Sequence, residues 1–480
     1  MAFPTQINGI EFLSFPLQDS DGYFESLSKL PSWRPFEYFS ITMQFVSEMR
    51  AFLNDPSTMM AFRCHPKDFT RDPCFTFPRL AIAILKEHAR PAQDRIVNLF
   101  KEGAFGNRQA CPTASAFCQD RVKLDPAFYK AWMAKAVQFY YSRFPRDHLV
   151  TTWHGHYVWA IDCSTLTLPD TPETRAAFSI QTNQVPGSKT VQGKASFAYD
   201  VLNEITIDAL LGKVQAEKQF LIDSHAQYLN SSVIALYDRG YADYEVIART
   251  LASGAHFVIR CPTSHTFKVV DDFVNSDATD EIVTLKVPRK KTRLAVECGW
   301  PLEVQVRLVK IVLDNGTAEV LITSLLDRDE YPAVEFKWLY GKRWGVETGF
   351  FRFKQQLDAE KFSSKKVHNI EQDFHALVFM QVLESIMDKD QDHEMRTKSQ
   401  EKHLKHEYHV NKAHAYSSLF GHLVDFFLLD EQTLEHHVST FQQEVRLSKS
   451  VIRPDRHNPR HKLTQSERVK YLQYQRKQRC

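Results

Sequence analysis

The sequence predicts an α/β protein: a mixed sheet with helices, interrupted by a β-rich insertion and flanked by helical N- and C-terminal regions. Three observations predict it. Short apolar strand patterns alternate with helical patterns between residues 157 and 261. Period-two alternation of apolar and polar residues follows within 262–325. Helical apolar patterns fill the first 145 residues and return after residue 326.

Composition fits a globular protein of several domains. The chain has 480 residues, 43% hydrophobic and 25% charged, and at about 150 residues per domain this suggests about three domains. The sequence has no run of about 18 consecutive apolar residues and no signal-peptide pattern at its start, so we expect a cytoplasmic protein with no membrane association. The 8 cysteines lack CxxC spacing, which argues against a disulfide scaffold.

The N-terminal region, 1–145, is predicted to be helical and to bind DNA. Apolar helical patterns within 77–101 and 113–124 are separated by a polar break at 107–111. Two helices across a short turn fit a helix-turn-helix, and a plain helical packing module explains the same pattern. In the first case the second helix would present four side chains to DNA: Ser115, Gln119, Arg121 and Lys123.

The order of elements in 146–261 indicates the fold of the core. An apolar strand at 157–168 is followed by a hairpin pair at 196–199 and 205–210. Strands at 232–237 and 256–261 then alternate with helices at 214–230 and 242–252. Three strands followed by alternating helix and strand is typical of an RNase H-like core.

The remaining chain divides by composition. We expect a β-rich insertion at 262–325, with a hairpin turn at Asp314-Asn315-Gly316, and the second part of the core at 326–390. Residues 391–480 are expected to form a helical C-terminal region with a basic tail. From Arg446 to Cys480 eleven basic residues stand against two acids, which suits a phosphate backbone or a solvated chain end equally well.

Two aspartates lie where strands are predicted to end or to be buried. Asp162 interrupts an apolar strand, and an ionised carboxylate there is costly unless it is paired or bound to a metal. Asp238 follows the apolar run at 233–237 directly. Either residue alone is compatible with a cap or a turn, but the pair offers the clustered oxygen ligands that Mg²⁺ requires.

A third acid belongs to a longer pattern. Tyr340, Arg343, Glu347 and Lys354 stand at offsets 0, 3, 7 and 14, which at about 100° per residue fall within an arc of about 60°. One helix face would therefore present a phenol, a guanidinium, a carboxylate and an amine. A solvated face with an ion pair at i,i+4 is the alternative. Four aromatic residues on the same helix favour burial instead: Trp344, Phe350, Phe351 and Phe353.

These residues resemble a known family. The run Tyr-x2-Arg-x3-Glu-x6-Lys from Tyr340 to Lys354 resembles the YREK signature of the IS-four family of bacterial insertion-sequence transposases, which includes the Tn-five type. Residues 161–171 resemble the block around the first aspartate of that family, and 237–241 the block around its second. The resemblance covers about 155–360. Cys163 stands where relatives often carry glycine.

The resemblance implies a DDE transposase with an RNase H-like fold. Asp162, Asp238 and Glu347 would be the catalytic residues and the ligands of two Mg²⁺ or Mn²⁺ ions. The resemblance also implies that Tyr340, Arg343 and Lys354 would bind DNA phosphate.

The partners implied are double-stranded DNA, both the terminal inverted repeats and the target, and a second copy of the chain in a homodimeric synaptic complex. The resemblance also implies a bacterial cytoplasmic protein that is associated with the nucleoid. Two other functions fit part of the pattern: a catalytically silent, transposase-derived DNA-binding protein, and an RNase H-like nuclease.

Overall fold

The computed structural model describes residues 5–7, 10–12, 35–71, 74–86, 89–145, 149–182, 189–262, 267–313 and 316–452. Most of the basic tail, from residue 453 onwards, and the Asp314-Asn315 part of the predicted turn lie outside these residues. Within them, no helix is long and apolar enough to cross a membrane.

The N-terminal part is mostly helical. A small hairpin, β1 (Thr5–Ile7) and β2 (Ile10–Phe12), comes first. Six helices follow: α1 (Pro35–Asn54), α2 (Pro56–Phe62), α3 (Phe77–Leu85), α4 (Ala92–Lys101), α5 (Ala114–Arg121) and α6 (Ala127–Arg143). Their cores are rich in aromatic side chains, and Trp132 of α6 stacks on Phe379 with ring centroids 4.1 Å apart.

A sheet of nine strands forms the centre of the molecule. Its first five long elements are β3 (Tyr157–Leu168), β5 (Lys189–Asp200), β6 (Ile205–Gly212), β7 (Val233–Tyr237) and β8 (His256–Cys261), with the short edge strand β4 (Ser179–Thr182) paired to β5. In space they run β6-β5-β3-β7-β8. The first three are antiparallel, and β7 and β8 lie parallel to β3. This is the strand arrangement of an RNase H-like core, as the sequence predicts.

Helices connect and cover these strands. They are α7 (Pro172–Ala177), α8 (Glu217–Asp223) and α9 (Tyr244–Ala252). β7 has the sequence Val-Ile-Ala-Leu-Tyr and is buried along its whole length, which is typical of a central parallel strand covered on both faces.

The β-rich segment extends the same sheet. It consists of α10 (Lys268–Val274), β9 (Asp280–Lys286), α11 (Thr292–Glu297), β10 (Glu303–Val312) and β11 (Ala318–Thr323). β11 pairs antiparallel with β8, and the sheet continues through β10 to β9. The segment is therefore continuous with the core by backbone hydrogen bonding.

The chain then returns over the core as helices. α12 (Phe336–Gly341) and α13 (Trp344–Phe351) are followed by one π-helical turn at Arg352–Gln356. The C-terminal elements are α14 (Val367–Met387), α15 (Lys389–Glu401), β12 (Tyr408–Val410), α16 (Lys412–Phe427), α17 (Leu434–Leu447) and β13 (Lys449–Val451). α14 is buried almost throughout and packs against α6 and β6, joining the N-terminal helices to the sheet.

The DNA contact predicted for Arg121 is wrong. Its side chain is buried, and the guanidinium lies 2.5 Å from Asp373 and donates to Gln372 at 2.7 Å. Both partners belong to α14, so Arg121 anchors the N-terminal helices to the core. Ser115 and Gln119 of the same helix are exposed.

Candidate active site

Backbone register places two acids side by side. The parallel pairing of β3 and β7 ends at Ile161 opposite Tyr237, and the next residues are Asp162 and Asp238. Partners in a parallel pair point to the same face of the sheet. Asp162 is still within β3, paired with Phe197 of β5, and Asp238 is the first residue after β7, so the two aspartates are neighbours at the edge where β7 ends.

Asp162 lies in a mostly buried environment. One carboxylate oxygen accepts the backbone N–H of Cys163 at 2.7 Å, and the other accepts from Arg343 at 3.2 Å. Burial is the main cause that raises the pKa of Asp162 to about 6, and the nearby acids Glu217 and Glu347 add to this increase. The two hydrogen-bond donors lower the pKa but do not cancel the effect of burial. Cys163 is absent from the positive-φ residues of the described chain, so a side chain fits where relatives carry glycine.

Glu347 is held over this edge by α13. That helix packs on β3 and β5, with Phe350 stacked on Phe197 at 4.3 Å between ring centroids. Gly349 makes the close approach possible, since a Cβ there would lie 3.1 Å from the ring of Tyr199. The side chain of Glu347 is one-third exposed.

Arg343 connects the acids. One guanidinium nitrogen donates to Asp162 at 3.2 Å and the other to Glu347 at 3.1 Å. Burial alone would lower the pKa of Arg343, but Tyr340, Asp238, Asp162 and the bond to Glu347 raise it above its ordinary value. Arg343 thus joins Asp162 and Glu347 directly, and its charge also acts on Asp238.

Asp238 has a second cationic partner that the sequence argument missed. Arg260 of β8 donates to Asp238 at 2.7 Å and to Glu319 at 2.8 Å. Burial raises the pKa of Asp238, but the backbone N–H of Arg239 together with Arg260 and Arg343 lowers it below the usual range. Arg260 is a cation in a mostly apolar strand, which marks it in the sequence without indicating its partner.

The four signature residues do not share one continuous helix, contrary to the sequence prediction. Tyr340 ends α12, Arg343 lies in the break before α13, Glu347 is in α13, and Lys354 is in the π-helical turn. Gly341, a poor helix former, ends α12 at the break.

The two outer signature residues point towards the sheet. The Tyr340 hydroxyl lies 3.4 Å from the carbonyl oxygen of Tyr237, next to Asp238. The Lys354 ammonium donates to the carbonyl of Thr165 in β3 at 2.6 Å. Burial lowers the pKa of Lys354, although Glu360 opposes the shift.

Aromatic burial on these helices is only partly as predicted. Phe350 and Phe353 are buried, whereas Trp344 is 50% exposed and Phe351 is 57% exposed. The guanidinium of Arg343 lies 5.1 Å from the Trp344 ring centroid. About half of the Trp344 side chain is therefore exposed to solvent next to Arg343.

The ligand oxygens of Asp162, Asp238 and Glu347 are not all within 4.8 Å of one another. Among the described residues, one group of three metal-ligating side chains has its ligand atoms all within 4.8 Å of one another, and it is His422, Asp425 and His437. In the acid cluster the bulk of the guanidinium stands between Asp162 and Glu347.

Comparison with known proteins identifies the domain that carries these acids. A family model described as a transposase DDE domain matches residues 153–383. The transposase InsG for insertion sequence element IS4 of Escherichia coli (strain K12) is 26% identical over 286 residues, which are 58% of this chain and 62% of that protein. The chain thus matches less than two thirds of the relative's length.

A structural likeness is weaker. The piggyBac transposase in a synaptic complex with hairpin DNA aligns with 92% of this chain and 89% of its own, at a TM-score of 0.35 and 11% identity, a likeness too low to carry an argument. The family match covers the segment that contains Asp162, Asp238 and Glu347. Over this segment the chain is therefore similar to transposases with a DDE domain, among them the IS4 transposase.

Proposed function

We propose that this protein cleaves DNA at the ends of an insertion sequence and joins those ends to target DNA, in a reaction that depends on divalent metal ions. The observation that carries the proposal is that Arg343 pairs with both Asp162 and Glu347, and that sheet register places Asp238 next to Asp162, all within the matched domain. In this proposal the three acids are the catalytic residues.

The donor set fits magnesium or manganese. All three side chains offer carboxylate oxygens, the ligands that hard divalent cations prefer. Asp162 is largely buried with a raised pKa, so its ionised form requires a nearby cation. We propose that the acids hold two Mg²⁺ or Mn²⁺ ions. When bound, such ions activate an attacking oxygen and neutralise charge on the leaving oxygen.

The cationic residues of the signature are suited to phosphate. The Arg343 guanidinium has five N–H donors, and two of them are engaged by Asp162 and Glu347. Its fork geometry suits bidentate contact with phosphate oxygens. Tyr340 and Lys354 flank it on either side of the acids. The exposed indole of Trp344 adds a surface on which an unpaired base would stack.

The chemistry requires a hydroxyl at each stage. Water attacks the phosphodiester at the end of the element and breaks its P–O3′ bond, which leaves a 3′-OH and a 5′-phosphate. That 3′-OH then attacks a phosphodiester of the opposite strand or of the target, and the 3′-OH of the attacked strand is the leaving group. In this scheme Arg343 keeps the scissile phosphate beside the acids. Positioning and charge stabilisation supply most of the catalysis in phosphoryl transfer.

We propose double-stranded DNA, as terminal inverted repeats and as target, for the partner of this site. The helical region 1–145 and the region from 391 onwards would supply end recognition and backbone affinity. An element has two ends and each chain carries one acid cluster, so a homodimer that holds one end per subunit is the expected active assembly.

The test is cleavage of terminal inverted-repeat DNA in Mg²⁺. Wild-type protein is expected to nick the end and to transfer it, while Asp162→Asn, Asp238→Asn and Glu347→Gln are expected to bind DNA without nicking it. Asp272→Asn and Glu297→Gln change exposed acids by the same chemistry and are expected to retain activity.

Each alternative has its own outcome in this assay. Full activity of one of the three variants would remove that residue from the site. DNA binding by wild-type protein without any metal-dependent nicking would favour a silent DNA-binding protein. Nicking without strand transfer would favour an RNase H-like nuclease.

A further inference from the structure

A second group of metal-ligating side chains lies on the C-terminal helices. His422 and Asp425 are one turn apart on α16, and His437 faces them from α17. Their side chains are between 12% and 23% exposed, so the group is mostly covered but reachable from solvent. None of the three residues contacts the acids around Arg343 through a hydrogen bond or ion pair among the described residues.

Two spacings between ligand atoms match those around a shared ion, and all three ligand atoms lie within 4.8 Å of one another. Asp425 Oδ2 lies 3.3 Å from Nδ1 of His422 and 3.4 Å from Nδ1 of His437. Both distances are slightly longer than the usual range for N–H···O hydrogen bonds, which is about 2.7–3.2 Å. Metal–ligand bonds of about 2.0–2.1 Å at tetrahedral angles place neighbouring ligand atoms about 3.3–3.4 Å apart.

The other nitrogen of His422 is also engaged. Its Nε2 lies 3.2 Å from Oε2 of Glu444 on α17. A neutral imidazole has one N–H, so with a carboxylate at each ring nitrogen one lone pair would face an anion. A metal at Nδ1 removes this conflict, because Nε2 then carries the proton and donates it to Glu444. Histidine ligands of metals typically donate their second nitrogen to a carboxylate in this way.

We propose that His422, Asp425 and His437 bind one divalent transition-metal ion, of which zinc fits best, and that the ion ties α16 to α17. Two imidazoles and one carboxylate supply three protein ligands, and water completes a tetrahedral site. The proposal concerns a site separate from the acid cluster and does not depend on the DNA chemistry. A doubly protonated His422 that pairs with both carboxylates, without any metal, is the competing explanation.

The experiment is a Zn²⁺ titration of the full-length protein against a chromophoric chelator, in excess Mg²⁺ and in an Asp162→Asn background. The excess Mg²⁺ and the substitution keep zinc from the acid cluster. We expect the protein to bind one Zn²⁺ per chain. His437→Ala and Asp425→Asn should each lower the zinc affinity by at least about tenfold. Removal of the outer carboxylate in Glu444→Ala is expected to weaken it about 10–100-fold.

His436→Ala is the matched control, because His436 is the exposed neighbour of His437 and is not a member of the group. It should retain the zinc affinity of the parent. His437 is partly exposed, so its alanine variant is expected to fold, and circular dichroism checks this. Equal zinc affinity in the parent, His437→Ala and Asp425→Asn, or no zinc binding by the parent, would overturn the proposal in favour of the protonated histidine.

Discussion

Asp162 and Asp238 are neighbours where β7 ends, because each follows a member of the last β3–β7 pair, Ile161 with Tyr237. The backbone hydrogen bonds of the sheet therefore determine their proximity, although 76 positions separate them in the sequence (238 − 162). Both preceding residues are fully buried, so this edge of the sheet is fixed by packing. The sheet thus sets the positions of the two aspartates, and α13 adds Glu347 to them.

In the metal-free protein, Arg343 is expected to supply the positive charge between Asp162 and Glu347 that bound Mg²⁺ would also supply. In Arg343→Gln the two carboxylates lose their shared donor, which should cost about 1–3 kcal/mol of stability in metal-free buffer. Saturating Mg²⁺ should raise the melting temperature of this variant by more than it raises that of wild-type protein. Thermal unfolding followed by circular dichroism, with and without Mg²⁺, measures both effects.

The control for this prediction is Arg293→Gln. Arg293 is 91% exposed and pairs with Glu297 on one helix, an arrangement worth little in water. It should leave the melting temperature and the Mg²⁺ response unchanged. An identical Mg²⁺ response in Arg343→Gln and wild-type protein would contradict the assignment.

Arg260 is predicted to be a positioning residue for Asp238. Arg260→Gln should lower the cleavage rate about 10–100-fold and raise the Mg²⁺ concentration needed, because Asp238 loses the donor at 2.7 Å that orients it. Binding of the DNA end should change little, and Arg260→Lys should be intermediate. Rates measured across a Mg²⁺ series separate this effect from a loss of folded protein.

Glu319→Gln supplies the comparison for Arg260. It alters the other partner of the guanidinium and leaves the contact with Asp238 in place. It is expected to retain most activity at all Mg²⁺ concentrations. If it were as damaging as Arg260→Gln, the arginine would serve the strand pairing of β8 and β11 instead.

Asp208 should make the core sensitive to acid. Its fully buried carboxylate lies 2.9 Å from Lys130 and 2.8 Å from His225. Burial raises its pKa, but these two partners lower it far below the ordinary value. A lowered pKa in the folded state stabilises the protein fully above the unfolded-state pKa of about 3.9, and this contribution is lost as the pH falls below that value.

Asp208→Asn tests this linkage. At neutral pH it should destabilise the protein by about 3–5 kcal/mol, since it leaves a buried cation without its anion. The difference in melting temperature from wild-type protein should narrow below about pH 4. Asp272→Asn, at an exposed position, should follow the wild-type curve. A constant gap between Asp208→Asn and wild-type protein across this range would contradict the prediction.

Much of the core could be predicted from the sequence, because buried strands are short apolar runs. The strands at 157–168 and 256–261 have the predicted bounds, and the order of the five core strands is confirmed. Local composition suffices for such elements, since each strand must be apolar to be covered on both faces.

Features that depend on distant partners could not be predicted. Arg121 sits on a helix with a DNA-binding pattern, and its partner Asp373 lies 252 positions away, so nothing local indicates its burial. The periodicity of Tyr340 to Lys354 does not distinguish a continuous α-helix from one with a break and a π turn. The pair of Arg260 with Asp238 likewise exists only after β7 and β8 align.

The central claim is that Asp162, Asp238 and Glu347 bind the catalytic metal ions, and cysteine substitution tests it most directly. A thiolate is a softer ligand than a carboxylate and favours Mn²⁺ over Mg²⁺. Asp162→Cys, Asp238→Cys and Glu347→Cys should therefore be inactive on terminal-repeat DNA in Mg²⁺ and regain cleavage in Mn²⁺, whereas the alanine variants stay inactive in both. Folded, DNA-binding cysteine variants that Mn²⁺ rescues no better than it rescues the alanine variants would contradict the claim.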